Sequence, residues 1–312
     1  MSERTDVSLR ETAKAQAELR AKFGFVPTSV LRDIRRGELS KRMFVFQNEQ
    51  PDRNTSISAT DQITTDGARE NELERRRLGL PTFKRRFAKP GEQKVSYGTL
   101  SASIMPAELV KFFMDFYSSP GDTYLDPFMG QGIQLQVATM FGRHYHGYDL
   151  STEFFGYIAA VVPKLRIPDG IRCTYTHGDS RFPAEIPDGI GDFSFHSPPY
   201  WDIEFYGEEE GQLGNRSYEE FLDGMEDVAR AWLPKFKPGA WHVVNVNDFR
   251  KNGRYYCYHA ALIQRFVCAG WEMYDTWIVE GLVGGLSRMF AAQRAVQRAA
   301  KVHEYCLVFR RP

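Results

Sequence analysis

The chain has 312 residues, 42% hydrophobic, 14% aromatic and 26% charged, with 40 basic residues balancing 40 acidic ones. That length exceeds the core of an ordinary single domain, so one large unit with a smaller appendage is expected. No run approaches the roughly twenty apolar residues of a membrane span, and Met1 to Arg10 is too charged for a secretion signal, so a cytoplasmic location is expected.

Charge is unevenly distributed. Residues 1–90 hold 19 basic and 13 acidic residues, an excess of six, which leaves the rest of the chain six negative. Two groups, Arg75-Arg76-Arg77 and Lys84-Arg85-Arg86, form a basic stripe able to neutralise phosphates or, equally well, to serve as a solvated linker face. Ser8 to Glu11 has capping-box spacing before a helix pattern through Phe23, and Thr28 is placed to cap a second short helix through Arg36. Asn48 to Ala68 is polar and poor in aliphatics, as a linker is. The expected division is a basic, partly helical extension over 1–90 and a main domain over 91–312.

Tyr124 to Gly132 reads Tyr-Leu-Asp-Pro-Phe-Met-Gly-Gln-Gly and runs into an apolar helical pattern that stops at Gly142. A strand thus enters a glycine turn and then a helix, and glycines at 130 and 132 allow backbone to approach a bound nucleoside. The next strand, His144 to Asp149, ends in a carboxylate about twenty residues after the turn, where a ribose diol would lie. A dinucleotide oxidoreductase fits worse, because Leu135 occupies the third glycine position of G-x-G-x-x-G.

Strands are expected at Arg172 to Tyr175, Asp192 to His196, Trp241 to Val246, Trp271 to Val279 and Tyr305 to Phe309. Helices capped by Ser151 and by the Ser217/Glu220 box, and one from Tyr258 to Ala269, alternate with them, which implies a mostly parallel sheet with right-handed crossovers. Arg294 and Arg298 share a face of a further helical pattern, either a second basic surface or plain helix exterior. The four cysteines form no C-x-x-C pair and read as buried thiols, so no metal site is expected; His144 and His146 alternate on one strand face without further ligands.

The strand ending at His196 leads into Ser197-Pro198-Pro199-Tyr200. An exocyclic amine of cytosine or adenine is conjugated into its ring, and acceptors on both of its N–H groups favour a tetrahedral, nucleophilic nitrogen. Ser197 Oγ and the Pro198 carbonyl supply two acceptors. The prolines stiffen the turn and lack N–H groups, and Tyr200 offers a ring for a base to stack on. As a bare Pro-Pro turn the tetrapeptide would carry no chemistry; the glycine turn upstream favours the catalytic reading. Methylation at carbon-5 is disfavoured, because no Pro-Cys dipeptide provides the required thiolate.

On these residues, from about 95 to 312, the chain resembles the DNA amino-methyltransferases, which use S-adenosylmethionine to methylate the exocyclic nitrogen of cytosine or adenine. Tyr206-Gly207, Gln212-Leu213-Gly214 and the closing strand His303 to Phe309 extend the likeness. The resemblance implies a Rossmann-like methyltransferase fold, α/β, with a seven-stranded sheet whose last strand inserts antiparallel. It assigns cofactor contacts to Asp126, Pro127, Phe128, Gly130 and Gly132, the ribose to Asp149, the adenine side to Asp179, and the methionine carboxylate to the segment around Pro106. It makes Ser197, Pro198, Pro199 and Tyr200 catalytic. Gln131 and Ile133 depart from the serine and threonine often found there in relatives. Double-stranded DNA is the implied partner, with Trp201 and Tyr206 as contacts beside the base; a paired endonuclease or specificity protein is left open. Serine at the first motif position is, by resemblance, commoner in cytosine enzymes, which favours N4-methylcytosine over N6-methyladenine. A non-catalytic, regulatory relative is the alternative of another class. No large target-recognition insert is evident between the motifs.

Overall fold

The computed structural model describes residues 9–23, 29–31, 39–40, 105–203, 206–280 and 303–312. In chain order these form α1 (Leu9–Phe23), β1 (Val30–Leu31), α2 (Ala107–Tyr117), β2 (Thr123–Asp126), α3 (Ile133–Met140), β3 (His144–Asp149), α4 (Thr152–Val161), β4 (Cys173–His177), β5 (Gly191–His196), α5 (Tyr218–Trp232), β6 (Phe236–Val246), β7 (Phe249–Lys251), β8 (Arg254–Tyr256), α6 (Tyr258–Cys268), β9 (Glu272–Glu280) and β10 (His303–Arg310).

Eight strands make one sheet in the order β1-β9-β10-β6-β5-β2-β3-β4, and β7 and β8 form a separate hairpin. Among the described strands of this sheet, only β10 runs antiparallel to its two neighbours. The arrangement is Rossmann-like, with the last strand inserted antiparallel as the resemblance implies. Strand order turns about between β2 and β5: β3 and β4 build outward from one, β6 and the later strands from the other. Ligands bind at the carboxyl ends of strands at such a switch point, and both the glycine turn and the Ser-Pro-Pro-Tyr turn leave the sheet there.

Alternation of side chains along each strand divides the core between the two faces of the sheet. Tyr124, Val243 and Val308 pack with α2, α3 and α4, while their neighbours Leu125, Val244 and Leu307 pack with α5 and α6. All four residues of β2 are buried, as a central parallel strand requires. Local signals start two of the helices. Ser151 Oγ accepts from the Phe154 amide, and Ser217 and Glu220 complete a reciprocal capping box at α5.

The sheet has one strand more than expected. Val30 and Leu31 extend it in parallel with Ile278 and Val279, at the start of the helix anticipated from Thr28 through Arg36, the rest of which lies outside the described residues. The outer edge of β9 leaves N–H and C=O groups to be paired, and the Ile278 amide donates to the Ser29 carbonyl at 2.7 Å while Leu31 is buried in the core. This long-range pairing outweighs local helix preference. Two cysteines also differ from expectation: Cys257 and Cys268 are exposed, and only Cys306 is fully buried.

Candidate active site

The turn after β2 is held from beneath. Asp126 is fully buried; its carboxylate accepts from Tyr145 Oη at 2.7 Å and from the Phe128 amide at 3.1 Å, and burial pushes its pKa up to about 7. The Pro127 carbonyl accepts from Ser180 Oγ. Gly130 has φ 52° and open space where a Cβ would stand, whereas at Gly132, φ 74°, a Cβ would lie 2.2 Å from Ile158 Cδ1. The two glycines therefore differ in purpose. Gly130 opens the backbone toward a ligand, and Gly132 admits the side chain of α4 against the start of α3.

Asp149 at the end of β3 accepts from the Gly130 amide at 2.7 Å and from the Ser151 amide at 2.9 Å. Burial is the largest influence on it and pushes its pKa up to about 6. Each carboxylate oxygen retains acceptor capacity for a ligand hydroxyl. Asp179 is clasped by Arg181, with Nη2 at 2.5 Å from Oδ2 and Nε at 3.0 Å from Oδ1.

Ser197 to Tyr200 continue from β5. The Tyr200 amide donates to Tyr206 Oη at 3.1 Å, Tyr258 Oη donates to the Pro199 carbonyl at 3.0 Å, and the Tyr200 and Tyr258 rings lie 5.9 Å apart. The turn is thereby fixed on both sides. Trp201 takes φ 45°, uncommon for a residue with a side chain, and its indole N–H donates to the Arg216 carbonyl at 2.8 Å. Its ring joins Tyr218 and Tyr256 at 5.1 and 5.2 Å, so it braces the loop instead of facing the cavity.

The elements converge on one cavity of about 200 Å³. Phe128, Gly130, Asp149, Asp179 and Pro106 line it together with Ser197, Pro198, Pro199, Tyr200 and Tyr206. Asp126, Pro127 and Gly132 are not among the residues that line it; they shape the turn from behind. Arg75, Arg76, Arg77, Lys84, Arg85, Arg86, Arg294 and Arg298 lie outside the described residues.

Sequence reasoning missed polar residues on the wall, among them Asn245 at the end of β6 and Glu304 at the start of β10. Asn245 pairs in register with Cys306, and Glu304 is two residues from Cys306, so strand alternation brings both to one face. Burial pushes the Glu304 carboxyl above its ordinary range. The signal for Asn245 was present, since apolar Val243-Val244 passes into Asn245-Val246-Asn247-Asp248 where a strand reaches the ligand side. Also unforeseen were the approach of Asp248, Cys257 and His259, whose ligand atoms lie within 4.8 Å of one another, and the buried His196–His242 pair. Asp248 accepts from Tyr255 Oη and from the His259 amide, so it holds the hairpin and the start of α6.

A sheet of this order, with a glycine turn, an acidic strand end and a Ser-Pro-Pro-Tyr turn around one cavity, has a Rossmann-like arrangement similar to that of the S-adenosylmethionine-dependent methyltransferases. Residues 45–160 match the model of the N6/N4 methylase family, described as DNA methylase, and the chain is thus similar to the DNA amino-methyltransferases. No curated protein matches it. Among solved structures it is similar to TrmN from Thermus thermophilus, with 18% identity and TM-score 0.45 over 67% of this chain; the match spans about half, 49%, of TrmN. The [4+2]-cyclase SpnF gives 18% identity and TM-score 0.46, covering 66% of this chain and 82% of the cyclase. TTHA0409, also from Thermus thermophilus and provisionally assigned as a DNA modification methylase, gives 25% identity and TM-score 0.33 over 43% of this chain and 51% of its own.

Proposed function

We propose that this chain methylates the exocyclic N4 of cytosine in double-stranded DNA. The observation that carries this reading is the meeting of Gly130 and Asp149 with Ser197 to Tyr200 on a single cavity, so that a nucleoside cofactor and a flat amine can share it. Serine at the first motif position favours cytosine over adenine, by the resemblance given above. Residues 91–312 are the catalytic domain in this reading, and the basic residues of 1–90 assist DNA binding.

The cavity suits S-adenosylmethionine. Gly130 is open to a close backbone approach, and Asp149 has acceptor capacity for a diol. Phe128, Gly130, Asp149, Asp179 and Pro106 would hold it, and when bound it supplies an electrophilic methyl on a sulfonium. The chain's own residues prepare the acceptor. The paired base must leave the duplex to reach the cavity, and Tyr200 stacks on it there. Ser197 Oγ and the Pro198 carbonyl accept the two amino hydrogens and turn the nitrogen lone pair toward the methyl. Among the described residues no hydrogen bond occupies either acceptor. Rate acceleration then comes from positioning and fixed dipoles. No strong base is needed, because the methylated ammonium is acidic and sheds its proton to water.

The test is to incubate the protein with unmethylated duplex DNA and tritium-labelled S-adenosylmethionine, then identify the labelled nucleoside by chromatography and mass. Label in N4-methylcytosine is expected. Label in N6-methyladenine changes the base and keeps the pocket, and no labelled nucleoside despite cofactor binding sinks the proposal in favour of a regulatory protein.

A further inference from the structure

The β7–β8 hairpin lies outside the cavity and is fastened to its rim. Lys251 Nζ donates to the Asp202 carbonyl at 3.0 Å and pairs with the Asp202 carboxylate, while its ammonium stands 4.8 Å from the centre of the Trp201 ring. Phe249 and Tyr256 pack on that same ring. The residues immediately after Tyr200 are thus gripped by the hairpin, and whatever touches the hairpin is registered against the catalytic turn.

The hairpin closes on Asn252-Gly253, with φ 50° and 80°, the left-handed pair that a two-residue turn of matching twist requires. Its register sets Phe249 against Tyr256, Arg250 against Tyr255 and Lys251 against Arg254. Arg250 and Arg254 are exposed, and each guanidinium lies over a tyrosine, 4.8 Å from Tyr255 and 5.0 Å from Tyr256. Among the described residues neither forms an ion pair. Segment 249–256 has three basic residues and no acidic one, in a chain whose residues after 90 are six negative overall. Stacking on tyrosine orders a guanidinium while leaving its donors free for phosphate or a guanine edge. A two-stranded ribbon also fits the width of a DNA major groove.

We infer that the β7–β8 hairpin is a DNA-contacting element of this enzyme, with Arg250 and Arg254, one on each face of the ribbon, meeting the duplex beside the extruded base. The inference rests on DNA being the substrate. It answers the want of a recognition insert: a short ribbon tied to the loop of the catalytic turn gives contact and register together.

The test compares the full-length chain with R250A/R254A and R250K/R254K on duplex DNA. In the alanine variant, KM for DNA is expected to rise about tenfold or more at moderate salt. The slope of log affinity against log salt should fall by about two, near 0.9 for each lost phosphate contact, with cofactor affinity unchanged. The lysine variant should recover the salt slope. Loss that is uniform across DNA sequences marks phosphate contacts, and loss confined to particular sequences marks base contacts; either supports the hairpin as a DNA element. Unchanged KM and salt slope overturn the inference while leaving the methyltransferase reading intact. Loss of cofactor binding in the alanine variant also overturns it, by making the arginines structural. A wild-type protein that binds cofactor and methylates no DNA defeats the substrate reading itself, and the inference with it.

Discussion

The Gly130 amide donates to the Asp149 carboxylate at 2.7 Å, joining the glycine turn after β2 to the acidic end of β3. Two segments nineteen residues apart are thus set as one rim of the cavity. Burial pushes Asp149 up to about 6, and only its ionised form has both oxygens free of hydrogen to accept from a diol. S-adenosylmethionine affinity is therefore expected to weaken as pH falls through about 6. Asp149→Asn should weaken it about tenfold at neutral pH, the usual scale for a hydrogen bond to a charged group, and flatten the profile. Titration calorimetry from about pH 8 to about pH 5 decides the matter. A flat wild-type curve removes Asp149 from the cofactor site.

Ser197 and Tyr200 act on the acceptor base in the proposed mechanism, so their loss should appear in transfer and leave cofactor affinity nearly unchanged. Ser197→Ala removes one of two acceptors for the amine and is expected to slow single-turnover transfer by about 10- to 100-fold. Tyr200→Ala should slow it similarly, while Tyr200→Phe keeps the stacking ring and most of the rate. Equal rates for Ser197→Ala and wild type would remove Ser197 from the base pocket.

The two glycines of the turn separate stability from binding. Gly132→Ala sets a methyl 2.2 Å from Ile158 Cδ1 at φ 74°, so the buried Ile158 side chain must turn aside in addition to the left-handed strain, and the thermal midpoint should fall further than in Gly130→Ala. Gly130→Ala meets no atom within 4 Å, so its stability cost is that of left-handed backbone alone, about 1 kcal/mol, and its main effect is expected on cofactor affinity. Melting curves with and without cofactor distinguish them, and the same loss of midpoint in both variants contradicts this division.

What the chain made legible was local. Ser151 and the Ser217/Glu220 box announced their helices because a cap needs only three or four neighbouring residues. The reversed last strand came from family resemblance, since periodicity carries no direction. The hairpin carries a strong turn signal in Asn252-Gly253, but its strands are three residues each, too short to show alternation. Strand β1 exists through its pairing with β9, and α2 follows Pro106 without a side-chain cap, so neither has a strong local mark. Glu304 and Asn245 meet the cavity through the register of β10 on β6. The motifs are single strand-and-turn segments, and long-range register decides which other side chains surround them.

That register also buries His196 beneath the Ser197–Tyr200 turn, with its Nε2 2.7 Å from His242 Nε2 and both Nδ1 atoms without a hydrogen-bond partner among the described residues. One Nε2–H donates to the other ring nitrogen, which requires the accepting ring to stay neutral. Burial holds His196 down at about 3 and His242 well below its ordinary value. Folded pKa values lie below the unfolded 6.5, so this stability is fully present above about 6.5 and is lost as pH falls toward about 3. Asp126 works the other way. Its folded pKa of about 7 exceeds the ordinary 3.8, so its contribution is present below 3.8 and is lost as pH rises through about 7. The opposing slopes overlap between 3.8 and 6.5 and partly cancel in the wild type. Asp126→Asn removes one of them, so the variant should lose stability more steeply on acidification across that window. Urea unfolding at several pH values measures the slopes, and parallel wild-type and variant curves would refute the assignment of the buried proton to Asp126.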